Sequence, residues 1–224
     1  MRTGSVLLPR GLQLRPQDVA LAAGQGIAAL EVVRRPRVAV ASTGDELYEA
    51  GTKLPSGGIY ESNRYTLIGL LRRLDCAVTD VGILRDERDG ILPVLRETAA
   101  THDALLTSGG VSVGTADVVK DAIAELGRIE FWRLAIKPGK PVTFGWIDHC
   151  MVLGLPGNPV SVAVAFLLFV RPLLLKRMGA EPPRLRATAD FAVRRAGDGI
   201  DPARPVQNEP WWIAWSHNLD RAAQ

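Results

Sequence analysis

The sequence predicts an α/β fold, a three-layer α/β/α sandwich built on a mostly parallel sheet, and three observations carry that expectation. From residue 37 onward, short β-branched runs alternate with longer amphipathic stretches, the spacing of βαβ units with right-handed crossovers. The first run, residues 37–42, is apolar on both faces, as strands buried in parallel sheets are. Polar, glycine-rich clusters follow the strands, and an open α/β sheet keeps its ligands at the carboxyl ends of its strands.

Ahead of this pattern, residues 1–36 hold a turn at Pro9-Arg10-Gly11 and a short helix opened by Pro16 and closed near Gly24 or Gly26. They offer too few apolar residues for a core of their own, so the segment is expected to pack on something else or to complete a further domain. After the first strand, Ser62 or Asn63 is expected to cap a helix whose one face carries Tyr65, Leu67, Ile68, Leu70, Leu71 and Leu74. A strand over 77–84 follows, then a helix over about 89–100 with Ile91, Leu92, Val94 and Leu95 inward, then a strand over 104–108. Residues 118–126 make the next helix, stopped by Gly127, and strands are expected near 129–134, 142–146 and 151–155. The last helix opens at Asn158-Pro159, a cap followed by a first-turn proline, and runs to Gly179 with a kink at Pro172. Pro182-Pro183 closes the core, which therefore spans 37–180. No regular fold is assigned to the Arg- and Pro-rich residues 181–224.

Composition narrows the function. Apolar residues make up 47% and charged residues 23%, which separates the chain from disordered sequences. The net charge of +3 comes with intermixed signs and no Lys/Arg run, pointing to small anionic ligands rather than nucleic acid. Cys76 and Cys150 lie in apolar segments without a C-x-x-C partner and read as buried, reduced thiols. No secretory signal is evident. The longest apolar stretch, 162–170, is interrupted by Arg171 and Pro172, short of the roughly 18 residues of a membrane span, so a cytoplasmic protein without a membrane partner is expected.

Five clusters carry candidate chemistry. Thr43 offers a hydroxyl, Gly44 permits a tight turn, and Asp45 and Glu46 supply carboxylates suited to a hard cation such as Mg²⁺, or else serve as turn and cap residues. Asp86 and Glu87 follow the 77–84 strand and bring further acid to the same sheet edge, or form a surface turn. Ser108, Gly109, Gly110, Ser112 and Gly114 lie between a strand and a helix, where backbone N–H groups and hydroxyls surround an anion. That loop lacks both G-K-[ST] and G-x-G-x-x-G, so it reads as a phosphate or oxyanion cradle. Asp117 after it either caps the helix or holds a metal. Lys137 and Lys140, on a turn stiffened by Pro138 and Pro141, either grip an oxyanion or form a solvated basic loop. Pro156, Gly157, Asn158, Pro159 and Ser161 again join a strand to a helix N-terminus. Three anion-friendly turns on one edge suggest one large polyanionic ligand. His102, His149 and His217 are scattered and make no nucleophile set.

In order, TGDEL at 43–47, SNRY at 62–65, TSGGVSVG at 107–114 with Asp117, KPGKP at 137–141 and GLPGNPVS at 154–161 make the chain resemble the MoeA family. These are the molybdopterin molybdenumtransferases that include the gephyrin E-domain, and the resemblance covers about residues 1–180. It implies a MogA-like molybdenum-cofactor core that binds adenylyl-molybdopterin with Mg²⁺, cleaves its phosphoanhydride with release of AMP, and passes molybdate to the dithiolene. On this resemblance Glu46, Asp86 and Asp117 are the catalytic acids and the Mg²⁺ ligands. Lys137, Lys140 and Ser161 surround molybdate and the pterin phosphate, and Ser108 to Gly114 cradle the phosphates. Thr43, Gly44, Asp45, Asn63, Pro141, Pro156, Gly157, Asn158 and Pro159 complete the substrate contacts. Thr115 stands where the family often has an acid. The resemblance further implies a homodimer in full-length relatives, contact with the adenylyltransferase of the pathway, residues 1–36 as the remnant of an elongated N-terminal domain, and 181–224 as a truncated or atypical C-terminal segment. Two other readings stand beside it: the sister molybdopterin adenylyltransferase, against which KPGKP and GLPGNPVS speak, and a non-catalytic chain that keeps the fold.

Overall fold

The computed structural model describes residues 4–109, 118–133 and 141–180. Its elements, in order, are α1 (Pro16–Gly24), β1 (Arg37–Thr43), β2 (Leu47–Tyr48), β3 (Ile59–Tyr60), α2 (Asn63–Arg72), β4 (Ala77–Leu84) and α3 (Arg88–Thr101). Then come β5 (Ala104–Ser108), α4 (Val118–Leu126), β6 (Arg128–Arg133), β7 (Pro141–Ile147), β8 (Cys150–Leu155), α5 (Pro159–Ala165) and α6 (Arg171–Arg177). A π-helical turn, Phe166–Val170, joins the last two.

Six strands form one sheet in the order β4-β1-β5-β8-β7-β6. The pairs β4–β1, β1–β5 and β5–β8 are parallel, whereas β7 runs antiparallel to both β8 and β6. The mostly parallel three-layer sandwich is therefore present. The chain closes it with an antiparallel return, because β7 and β8 are joined by a tight Asp148-His149 turn rather than by a helix long enough for a crossover.

Residues alternate between the two faces of each strand. Val38 and Val40 of β1, Leu106 of β5 and Leu153 of β8 pack against Leu67 and Leu71 of α2 and against Val162, Phe166 and Leu174 of the C-terminal helices. Ala39, Leu105 and Val152, one position along, meet Ile91 and Leu95 of α3 and Val119 and Ile123 of α4. This is why β1 is buried from Val38 through Thr43 and, after the exposed Arg37 that opens it, carries no polar residue until Ser42. Gly127 stops α4 for a steric reason, since a Cβ there would lie 1.8 Å from the Trp146 carbonyl oxygen.

Several local expectations change. Ser62 occupies the N-cap position of α2, as expected, but makes no side-chain cap bond, and Asn63 is the first helical residue, its amide turned to the strand ends. Tyr65 is 52% exposed, leaving Leu67, Ile68 and Leu71 as the buried apolar face of α2. In α3 the buried residues are Ile91, Leu95, Thr98 and Ala99, with Leu92 and Val94 half-buried. Pro172, which cannot donate to the preceding turn, is preceded by the π-helical turn, and the helix continues. The helical run Pro159–Arg177 is consequently 19 residues long and apolar enough to cross a membrane by length and composition, so Arg171 and Pro172 do not divide it. Val162, Phe166, Val170 and Leu174 of that run are packed into the core with the sheet.

Candidate functional site

The parallel strands deliver their last residues to one edge. Thr43 is level with Leu84, Ser42 with Ser108, and Ser108 with Leu155, while β7 starts at the same edge with Pro141. This brings together Thr43, Gly44, Asp45, Glu46, Asp86, Ser108, Gly109, Pro156 and Gly157. Gly110, Ser112, Gly114, Asp117, Lys137 and Lys140 lie outside the described residues.

The loops at this edge are stitched to one another. Gly109 adopts φ +91°, its N–H donates to the Leu155 carbonyl at 3.2 Å, and a Cβ on it would sit 2.2 Å from the Thr43 carbonyl oxygen. Asn63 Nδ2 donates to Ser108 Oγ at 2.8 Å and to the Gly157 carbonyl at 2.7 Å, and Ser108 Oγ reaches the Pro156 carbonyl at 3.4 Å. Asn63 thus ties α2 to the ends of β5 and β8. Two polar atoms here, Thr43 Oγ1 and Asn63 Oδ1, are buried without a hydrogen-bond partner among the described residues. Asn158 caps α5, Oδ1 accepting from the N–H groups of Val160 at 3.0 Å and Ser161 at 3.2 Å, with Pro159 in the first turn. Ser161 Oγ lies 3.5 Å from the same oxygen.

On the β4 side of β1 the edge is acidic. The Gly44 N–H donates to the Leu84 carbonyl at 3.2 Å, the Asp86 N–H to Asp45 Oδ1 at 3.2 Å, and Arg85 Nη1 to the Asp45 carbonyl at 2.7 Å. Partial burial of its carboxyl, followed by the charges of Asp45 and Glu46, raises the Asp86 pKa above the usual carboxylate value. Three acids crowd this corner, and either a proton or a cation relieves their repulsion. No three His, Cys, Asp or Glu among the described residues form a metal set, and Asp117, the third expected ligand, falls outside them.

One cluster received no role in the sequence analysis, although Arg64 and Tyr65 belong to the SNRY motif. Arg64 is 4% exposed and holds three carboxylates: Asp80 Oδ1 at 2.5 Å, Glu49 at 2.5 and 2.6 Å, and Glu61 Oε2 at 3.6 Å. Glu61 Oε1 accepts from Ser42 Oγ at 2.9 Å and from the Arg64 N–H at 2.7 Å, and the Tyr65 hydroxyl donates to Glu49 at 3.1 Å. Burial opposes the charge on Arg64, but Asp80, Glu49 and Glu61 outweigh it and hold the guanidinium pKa above its ordinary value. The sequence signal was Arg64 itself, a charge placed beside Leu67, Ile68 and Leu71 on the buried side of α2.

Away from this edge, Asp103 anchors the segment leading into β1. Arg34 grips its carboxylate at 2.6 Å through each of two nitrogens, and the Arg37 N–H adds a bond at 2.7 Å. The Arg34 hydrogen bonds above all bring the Asp103 pKa down to about 2. Both thiols are free and buried, and burial pushes Cys76 up to about 11 and Cys150 up to about 12, which leaves them unreactive. His102 Nε2 lies 2.8 Å from Thr79 Oγ1, far along the sheet from the strand ends.

These features define a class: a three-layer α/β domain with polar, glycine-rich turns at its strand ends, beside an acidic corner. Residues 39–176 match the family described as "Probable molybdopterin binding domain". The chain is 42% identical over 205 residues to the molybdopterin molybdenumtransferase of Haemophilus influenzae, covering 90% of this chain and 51% of that protein. Gephyrin of Dictyostelium discoideum is 34% identical, over 79% of this chain and 29% of its own length. Among solved structures, the molybdopterin biosynthesis MoeA protein from Pyrococcus horikosii superposes with a TM-score of 0.70 at 35% identity, over 79% of this chain and 44% of that one. The chain belongs to the molybdopterin molybdenumtransferase family. It spans about half the length of the curated relatives it matches.

Proposed function

We propose that this chain carries the core that makes molybdenum cofactor from adenylyl-molybdopterin and molybdate, releasing AMP. The observation that carries the reading is the meeting of Asp45, Glu46 and the pKa-raised Asp86 with the stitched Thr43–Gly109 turn on one edge. An acidic corner beside an anion cradle is what an anhydride with a divalent cation requires.

Glu46 and Asp86, with Asp117, which precedes Val118 in the sequence, would hold Mg²⁺, which when bound would supply positive charge to the anhydride oxygens. The donor chemistry fits, since carboxylate oxygens suit a hard cation and the raised Asp86 pKa reflects charge that a cation would offset. The Gly109 N–H is engaged by the Leu155 carbonyl and is not a free donor of the cradle. Thr43 Oγ1 adds a buried hydroxyl without a hydrogen-bond partner among the described residues. Lys137, Lys140 and Ser161 would hold molybdate and the pterin phosphate, offsetting the repulsion between two anions, and catalysis is chiefly positioning. Residues 1–36 belong, in this reading, with an elongated neighbouring domain, and the exposed Val32 and Val33 support a homodimeric assembly. Buried, reduced thiols support action in the cytoplasm.

The test is release of AMP from adenylyl-molybdopterin in the presence of Mg²⁺, with and without molybdate. Molybdate-dependent release is expected, and Asp86→Asn should lower its rate by about a hundredfold with the thermal midpoint unchanged. Adenylylation of molybdopterin by Mg-ATP without molybdate would instead identify the sister adenylyltransferase, and no turnover in either assay a non-catalytic chain.

A further inference from the structure

The segment that enters α2 is tied across the ends of the central strands. Ser42 of β1 and Ser108 of β5 are register partners, both buried, and each stands directly before a turn of the candidate site. Glu61 holds the first, its Oε1 accepting from Ser42 Oγ at 2.9 Å. Asn63 holds the second, its Nδ2 donating to Ser108 Oγ at 2.8 Å. The same nitrogen donates to the Gly157 carbonyl at 2.7 Å, in the turn after β8. Residues 61–63 therefore bridge three adjacent strands, β1, β5 and β8.

This bridge is itself anchored. Arg64 ties it to β4 through Asp80 at 2.5 Å, and the Arg64 N–H donates to Glu61 Oε1 at 2.7 Å. Leu67 and Leu71, one and two turns further along α2, are sealed in the core. Glu61 and Arg64 are each 4% exposed and Asn63 9%, so water competes little for these bonds.

The chemistry of the two side chains argues against contact with an anionic substrate. A carboxamide nitrogen carries two hydrogens, and Asn63 gives both to protein oxygens. Its remaining polar atom, Oδ1, only accepts, and an oxyanion offers it no hydrogen. Glu61 is an acid, with Arg64 Nε 3.6 Å from its Oε2. What the pair does fix is spacing. Residues 43–46, with Asp45 and Glu46, start directly after Ser42, and the glycine-rich turn starts directly after Ser108. The separation of the two serines sets the separation of the two turns. We infer that Glu61 and Asn63 are positioning residues, and that Asn63 acts on the reaction through Ser108 and Gly157 without touching the substrate. The inference deepens the functional reading above and rests on it for the reaction concerned.

The test follows molybdate-dependent AMP release from adenylyl-molybdopterin by the full chain, together with hydrogen exchange of the Gly109 N–H by NMR. Asn63→Ala removes both ties. Asn63→Asp, of the same shape, replaces the donated hydrogens with an acceptor and stands in where Asn63→Ala does not fold. The expected result is a kcat lowered by about tenfold or more, with the KM for adenylyl-molybdopterin within about twofold of the parent's. The Gly109 N–H should exchange about tenfold faster, while the Val40 and Leu106 N–H groups inside the sheet exchange as before. A KM raised by about tenfold with kcat retained makes Asn63 a substrate contact and overturns the inference, as do two unchanged constants. Gly109 exchange at the parent's rate overturns it whatever the turnover. If the parent releases no AMP while Gly109 exchanges faster in the variant, the functional reading falls and the tie of Asn63 to the two turns stands.

Discussion

A single absent Cβ holds the candidate site together. Gly109 combines a left-handed φ of +91° with a Cβ position 2.2 Å from a backbone oxygen, that of Thr43, so no rotamer change can relieve an added methyl group. Strain and forced separation of the two loops each cost on the order of 1–3 kcal/mol. Gly109→Ala is accordingly expected to destabilise the fold by about 3 kcal/mol and lower the thermal midpoint by several degrees. Gly157 faces it across the same edge, but a Cβ there meets only the Gly109 Cα at 3.9 Å. Gly157→Ala should stay within about 0.5 kcal/mol of the parent. Calorimetric melts showing equal effects of the two substitutions would refute this steric account. The glycine-rich run at 108–114 was visible in the sequence, but the reason Gly109 must be glycine was not. That reason is a carbonyl on another strand, which no local pattern reports.

Elements are positioned by a few buried polar ties as well as by apolar faces. Asn63 binds the start of α2 to the ends of β5 and β8, and Arg64, beside it, ties α2 to β4 and to the loop after β2. Replacing one partner of such a buried ion cluster leaves the others uncompensated, which is why a charge persists on a helix face otherwise built from leucine and isoleucine. At the opposite edge, Asp103 fastens the segment before β1 through Arg34 and the Arg37 N–H. Its pKa lies below the unfolded value, at about 2, so its contribution is fully present above pH about 4 and is lost as the pH falls through about 2. With Arg34 largely exposed, that contribution is about 1–2 kcal/mol rather than the larger figure of a sealed pair. Denaturant unfolding of the parent and of Asp103→Asn should differ by that amount at pH 7 and converge toward pH 2. A gap that persists unchanged at pH 2 would assign the effect to packing. The amphipathic stretches announced α2 and α3 correctly as helices. Ser62 takes the expected N-cap position without a side-chain bond, while the Asn63 amide is engaged by Ser108 and Gly157.

Across the whole molecule, the apolar surface is unevenly covered. The central strands β1, β5 and β8 are sealed on both faces, yet Val6, Ile27, Leu30, Val32 and Val33 in the segment before β1 stay exposed, Val32 at 69% and Val33 at 60%. Exposed apolar groups clustered along one segment favour association. Val32→Ser with Val33→Ser should shift the chain toward monomer in sedimentation velocity while changing stability by less than about 0.5 kcal/mol, and an unaltered distribution would exclude this segment as the contact. The sequence by itself determined the α/β class, the succession of strands and helices, and the placing of polar, glycine-rich clusters after strands, because periodicity and turn chemistry are local and record how each residue is buried. Tertiary structure alone decided the antiparallel course of β7 between β6 and β8, the Arg64 ion cluster and the engagement of Asn63. Each of these depends on which distant residues become neighbours, and a chain's local pattern specifies that a face must be covered without specifying what covers it.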